Sequence, residues 1–182
     1  MTGMLAEQYR LLARYNTWMN GRLYALAATL SDDERRADRG AFFRSIHGTF
    51  NHLLLVERIW LHRMTGDAAL SASHDADGNV IRYRSLDQEL YADFAVLRRE
   101  QETTDAHAER WVAGLDEATL ASPIRYRSTD GTAREHPLWQ AVTHLFNHQT
   151  HHRGQLTTLF SQLGHDPGVT DLIRVVWEWK GR

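Results

Sequence analysis

The stretch His136-Pro-Leu-Trp-Gln-Ala-Val-Thr-His144-Leu-Phe-Asn-His148-Gln-Thr-His151-His152-Arg-Gly-Gln155 decides how this chain is read. At about 100° per residue, Leu138, Ala141 and Leu145, continued by Leu156, Leu159 and Leu163, fall on one stripe of an amphipathic helix. Pro137 suits its first turn and Gly164 its end, so the helix spans about Pro137 to Leu163. His152 lies within the stripe and His148 on its edge one turn earlier. His144 and His151 lie further round, toward the polar side. Residues i and i+4 have Cβ atoms about 5–6 Å apart, so His148 and His152 can converge on one ion through bonds of about 2.0–2.1 Å. An imidazole in an apolar seam needs a partner, because burying it unpaired costs about 1–3 kcal/mol. A metal is one such partner; a carboxylate or a backbone carbonyl is another.

Working outward, helical periodicity recurs three more times. From Leu5 to about Leu30, apolar residues repeat at three- and four-residue spacing (Tyr9, Leu12, Tyr15, Met19, Leu23, Leu26), which predicts one long helix. Ser31-Asp32-Asp33-Glu34 is an N-cap signal for a short helix. A second long helix is expected from about Ala41 to Met64, ending near Gly66, with Phe42, Ile46, Thr49, Leu53, Val56 and Trp60 as its core stripe. Residues 67–85 read as a polar connector with a turn at Asp77-Gly78-Asn79 and a short extended piece at Val80–Tyr83. A third long helix is expected from about Leu86 to Val112, with Leu90, Phe94, Leu97, Gln101 and Trp111 inward. Ile124–Arg127 and Thr132–Arg134 flank Asp130-Gly131 as a small β-hairpin before the last long helix. The fold class is therefore all-α: a four-helix bundle with long connections, forming a single domain over residues 1–182.

On the second helix His52 borders the core stripe beside Thr49 and Val56, whereas His47 points well away. Glu57 lies on the other margin, where an arginine from another helix would be its ordinary partner. His52, His148 and His152 thus form the candidate metal set, two from one helix and one from another. Three nitrogen ligands leave a coordination position open, as catalytic sites do.

The composition narrows the function classes. No cysteine is present, which excludes disulfides, thiolate zinc fingers, cysteine-ligated clusters and a cysteine nucleophile. Lys+Arg 21 against Asp+Glu 23 gives a net charge of −2, so nucleic acid and anionic membranes have no general attraction for the chain. No apolar run approaches the length of a membrane span and the first residues do not read as a signal peptide, so a cytoplasmic protein is expected. Six tryptophans, with Trp177 and Trp179 in an apolar tail that should pack on the bundle or a second subunit, point to a homodimer.

Asn51-His52-Leu-Leu-Leu-Val-Glu57-Arg-Ile-Trp60, taken with His144 through Gln155 and the tail Gly168-Val-Thr-Asp-Leu172, resembles the DinB family of four-helix-bundle metalloproteins over essentially the whole chain. The family takes its name from a damage-inducible locus and is unrelated to the polymerase of that name. The resemblance implies a divalent metal, nickel or zinc, on His52, His148 and His152, and again a homodimer. It also implies a fold shared with thiol-dependent transferases. The leading expectation is a metal-dependent enzyme, either a thiol S-transferase or a hydrolase, in which the metal activates a thiolate or a water. Because the chain lacks cysteine, a low-molecular-weight thiol would be a cosubstrate. The alternative is a non-catalytic metal-binding stress-response protein. Glu57, His144 and His151 are candidates for a general base, each with a plain structural alternative. Arg153 and Gln155 belong to the motif, and spacing alone does not separate helix packing from substrate binding for either.

Overall fold

The computed structural model describes residues 3–178, and for residues 69 and 70 only their backbone. Four long helices carry the fold: α1 (Met4–Ala27), α3 (Ile46–Thr65), α5 (Phe94–Ala113) and α7 (Leu138–Gln162). Short helices α2 (Asp32–Arg36), α4 (Ala68–Ser71), α6 (Glu117–Ala121) and α8 (Leu172–Glu178) lie in the connections and the tail. Helix α1 packs on α5 and α7, and α3 packs on the same two. The hairpin is present: β1 (Pro123–Arg127) pairs antiparallel with β2 (Ala133–Pro137), Ile124 opposite His136. The mostly helical bundle with its small hairpin is the architecture the periodicity predicts.

Two helix starts differ from expectation, and both differences shape the site. Helix α3 begins at Ile46, not Ala41, because Ser45 caps it by accepting from the Gly48 backbone N–H at 3.0 Å. The preceding residues form a tight turn instead, with Arg44 N–H donating to the Ala41 carbonyl at 2.8 Å and Arg44 at φ 64°. Phe42, expected in the core, is 83% exposed. Helix α5 begins at Phe94, not Leu86, because Asp93 caps it by accepting from Val96 N–H. Residues 86–93 are irregular and lie against α3, held by Asn51. Its Oδ1 accepts from the backbone N–H groups of Leu90 (2.8 Å) and Tyr91 (2.9 Å). The Val80 segment makes one bridge to His74 rather than a strand.

The core carries more polar surface than the apolar stripes announce. On α1 the buried face includes Ala6, Ala13, Asn16 and Asn20 alongside Tyr9, Met19 and Leu23. It is thus rotated from the leucine stripe, and Leu5, Leu12 and Leu26 sit at its edge, only partly buried. Asn16 and Asn20 face Glu57 of α3, Gln101 and Asp105 of α5 and Arg153 of α7, all buried. Val175 of α8 joins the main core, and the Tyr15 hydroxyl donates to the Thr170 carbonyl at 2.6 Å. The tail therefore packs on the bundle as far as it is described; Trp179 lies outside the described residues.

Candidate metal centre

His52 on α3 and the pair His148 and His152 on α7 meet where these two helices touch. The Nε2 atom of His52 lies 3.1 Å from Nε2 of His148 and 3.2 Å from Nε2 of His152. One nitrogen from each ring lies within 4.8 Å of the other two, so the group could hold a metal ion. His52 and His152 are buried and His148 is partly so.

The outer nitrogens decide what the inner ones offer. His52 Nδ1 lies 2.7 Å from the Leu86 carbonyl, and His152 Nδ1 lies 2.8 Å from Gln155 Oε1. Each partner can only accept, so both Nδ1 atoms carry the proton and both Nε2 atoms present bare lone pairs. Two lone pairs at 3.2 Å do not bond to each other, and a cation between them would satisfy both. Spacings of 3.1 and 3.2 Å are what bonds of about 2.0–2.1 Å to one ion produce at an angle of about 100°, close to tetrahedral. A proton is a poor substitute. Burial drives the His52 imidazolium pKa down to about 4, and burial with the neighbouring His152 drives that of His148 to about 3. The set is neutral at physiological pH, as metal ligation requires.

The surroundings fix these rings and leave one side open. Phe43 stacks on His52 with centroids 3.7 Å apart and meets His152 edge-on at 5.3 Å. The Arg44 backbone that holds Phe43 there is left-handed, which costs a non-glycine residue about 1–3 kcal/mol. The three histidines line a pocket of about 640 Å³, together with Phe42, Phe43, Leu86, Asp87, His151 and Gln155.

The remaining candidates divide. His151 and Gln155 stand on the pocket rim, with His151 exposed and its ring 4.8 Å from that of His152. His144 leans on Trp60, centroids 4.7 Å apart, outside the triad. Glu57 and Arg153 lie away from the pocket, in the core network. Glu57 accepts from Gln101 Nε2 at 2.7 Å and from Asn16 Nδ2 at 3.1 Å. Arg153 donates to Asn16 Oδ1 and lies over the Tyr15 ring at 5.2 Å, so its place in the motif reflects helix packing. His47 is buried with Nε2 2.9 Å from the Tyr91 carbonyl, not solvated. Sequence reasoning missed Phe43, Asn51 and the Leu86 carbonyl. Of these only Asn51 left a signal, by adjoining His52.

A sequence profile described as the DinB family matches residues 4–181. The chain belongs to the DinB family. Protein DinB of Bacillus subtilis (strain 168) is 22% identical over 161 residues, 88% of each chain. The crystal structure of a DinB-like protein from Bacillus cereus ATCC 10987 superposes with a TM-score of 0.56 at 19% identity, covering 84% of this chain and 91% of that one. At that identity the second likeness is one of DinB-like fold. Among the described residues no helix is long and apolar enough to cross a membrane.

Proposed function

We propose that this DinB-family chain is a metal-dependent enzyme whose ion, zinc or nickel, is held by His52, His148 and His152. The observation that carries the reading is the acceptor beside each Nδ1 of His52 and His152, which leaves their two Nε2 atoms bare and 3.2 Å apart, with His148 Nε2 3.1 Å from that of His52, on an open pocket. A divalent ion bound there lowers the pKa of a coordinated water or thiol by several units. The chain's own residues do the rest. Leu86 and Gln155 fix the imidazole orientations, Phe43 excludes water from one flank of His52, and the rim admits a small molecule. With no cysteine in the chain, a sulfur nucleophile would come from a low-molecular-weight thiol, which makes a thiol S-transferase the first reaction class and hydrolysis the second. Of the three general-base candidates only His151 stands on the rim, since Glu57 lies in the core and His144 beside Trp60. A non-catalytic metal-binding role is the second reading; the open pocket favours the enzyme. We also take the protein to be a cytoplasmic homodimer joined through Ile173, Val176 and Trp177, which form one exposed apolar face of α8. Light scattering reads that state directly.

The test is elemental analysis of protein purified without a nickel column, followed by a panel of small thiols with electrophiles and of simple esters. One metal per chain is expected in the wild type and in His62→Ala. Substituting any of the three ligands by Ala should remove it, together with any turnover. Stoichiometric metal in the triple variant would overturn the site, and a metal-loaded protein inert on the whole panel would favour the non-catalytic reading.

A further inference from the structure

The turn before α3 holds two adjacent phenylalanines in opposite situations. Phe43 is buried against His52, while Phe42 is 83% exposed at the mouth of the same pocket, 4.8 Å from Phe43 in an edge-on arrangement. The outward pose of Phe42 is built, not slack. Arg39 N–H donates to the Arg44 carbonyl and Arg44 N–H to that of Ala41, each at 2.8 Å, and Arg44 itself is left-handed. Strain of this kind persists where surrounding structure enforces it, and it concentrates at ligand sites. On the same pocket, from a different connection, Leu86 presents a side chain that is 40% exposed. Single exposed apolar residues are ordinary. Two from separate loops, converging on the pocket above three histidines, mark a surface that a ligand would dry. The mouth carries little net charge: the Asp87 carboxylate, held below its usual range by a hydrogen bond from Ser85, has Arg44 as a counter-charge.

We infer that Phe42 and Leu86 form an apolar platform that selects ligands carrying an uncharged aromatic or bulky aliphatic arm attached to a metal-binding head. This inference rests on the metal reading above and adds the substrate class to it.

The experiment uses cobalt-loaded protein and two hydroxamates that differ only in the arm, acetohydroxamate and benzohydroxamate, titrated against the visible cobalt spectrum. The benzo compound should bind at least about tenfold more tightly, the scale expected when a phenyl face is removed from water. Phe42→Ala should erase that preference while leaving acetohydroxamate affinity and the melting temperature unchanged, since Phe42 buries almost nothing in the fold. Trp139→Ala, an exposed aromatic away from the pocket, should alter neither affinity. Equal affinities in the wild type, or equal weakening of both ligands in Phe42→Ala, would overturn the platform with the metal site intact. Failure of the cobalt spectrum to develop would instead overturn the metal reading, and the platform with it.

Discussion

Gln155 makes no bond to the proposed ion, yet it decides which nitrogen of His152 is available. Its Oε1 accepts from His152 Nδ1 at 2.8 Å, and its Nε2 faces His151 Nε2 at 3.5 Å. Such outer partners typically contribute 10- to 100-fold in metal affinity, roughly, because they fix ring orientation and tautomer. Gln155→Leu should therefore weaken zinc or cobalt binding by about tenfold or more in competition with a chelating dye. The metal-free melting temperature should barely move, because the side chain is partly exposed and on the rim. An unchanged affinity would mean that packing by Phe43 alone orients the ring. His148 offers the contrast: its Nδ1 is buried without a partner among the described residues, so its orientation rests on ring packing against His52 and His152.

At the scale of elements, the start of α3 is where sequence and structure part, and Gly48 shows why. A Cβ on Gly48 would lie 2.3 Å from the Phe43 carbonyl oxygen, a backbone atom fixed by the turn. Gly48→Ala raises intrinsic helix propensity by about 1 kcal/mol and would be stabilising in a plain helix. Here it should destabilise the protein by about 1–3 kcal/mol, the usual cost of overpacking. It should also loosen metal binding, because Phe43 leaves His52. Denaturant midpoints and dye competition check both, and a more stable variant would show that the turn is soft. Nothing in a one-dimensional pattern distinguishes this glycine from an ordinary helical one. The four long helices and the inward histidines were legible because a periodic signal repeats over several turns, and the hairpin because Asp130-Gly131 marks its turn. The starts of α3 and α5 were not, because apolar residues before each cap (Phe42, Phe43, Leu86, Leu90) continue the helical spacing while serving a loop. The partners of His47 and Asn51 were not legible either, because they are backbone groups of residues 86–93, whose path only the folded chain defines.

Across the whole molecule, the four long helices are tied by one buried polar cluster whose charge does not balance by simple pairing. Asn16 Nδ2 reaches both Glu57 (3.1 Å) and Asp105 (3.2 Å), and Gln101 Nε2 bridges the same two at 2.7 and 3.0 Å. Burial pushes the Glu57 carboxyl up to about 7, against the pull of Gln101, Arg153, Arg58 and Asn16. Burial and the Glu57 charge raise that of Asp105 well above its ordinary range. The pair therefore titrates as a unit and retains a proton that the unfolded chain releases. Between the ordinary Glu value of 4.5 and about 7 the folded state binds more protons than the unfolded one. The contribution is thus fully present below that window and lost as pH rises through it, by at most about 1.4 kcal/mol per pH unit for each proton. The metal-free histidines act in the opposite sense. His52 and His148, depressed to about 4 and 3 from 6.5, add stability as pH rises toward 6.5. Comparing wild type with Glu57→Gln cancels that histidine contribution, since both proteins keep it. In denaturant unfolding of chelator-treated protein from about pH 5 to about pH 8, the stability difference should shift steadily toward the Gln variant up to about pH 7 and then level off. A difference independent of pH would mean that Glu57 is already ionised in the fold, with Arg153 and Arg58 outweighing its burial.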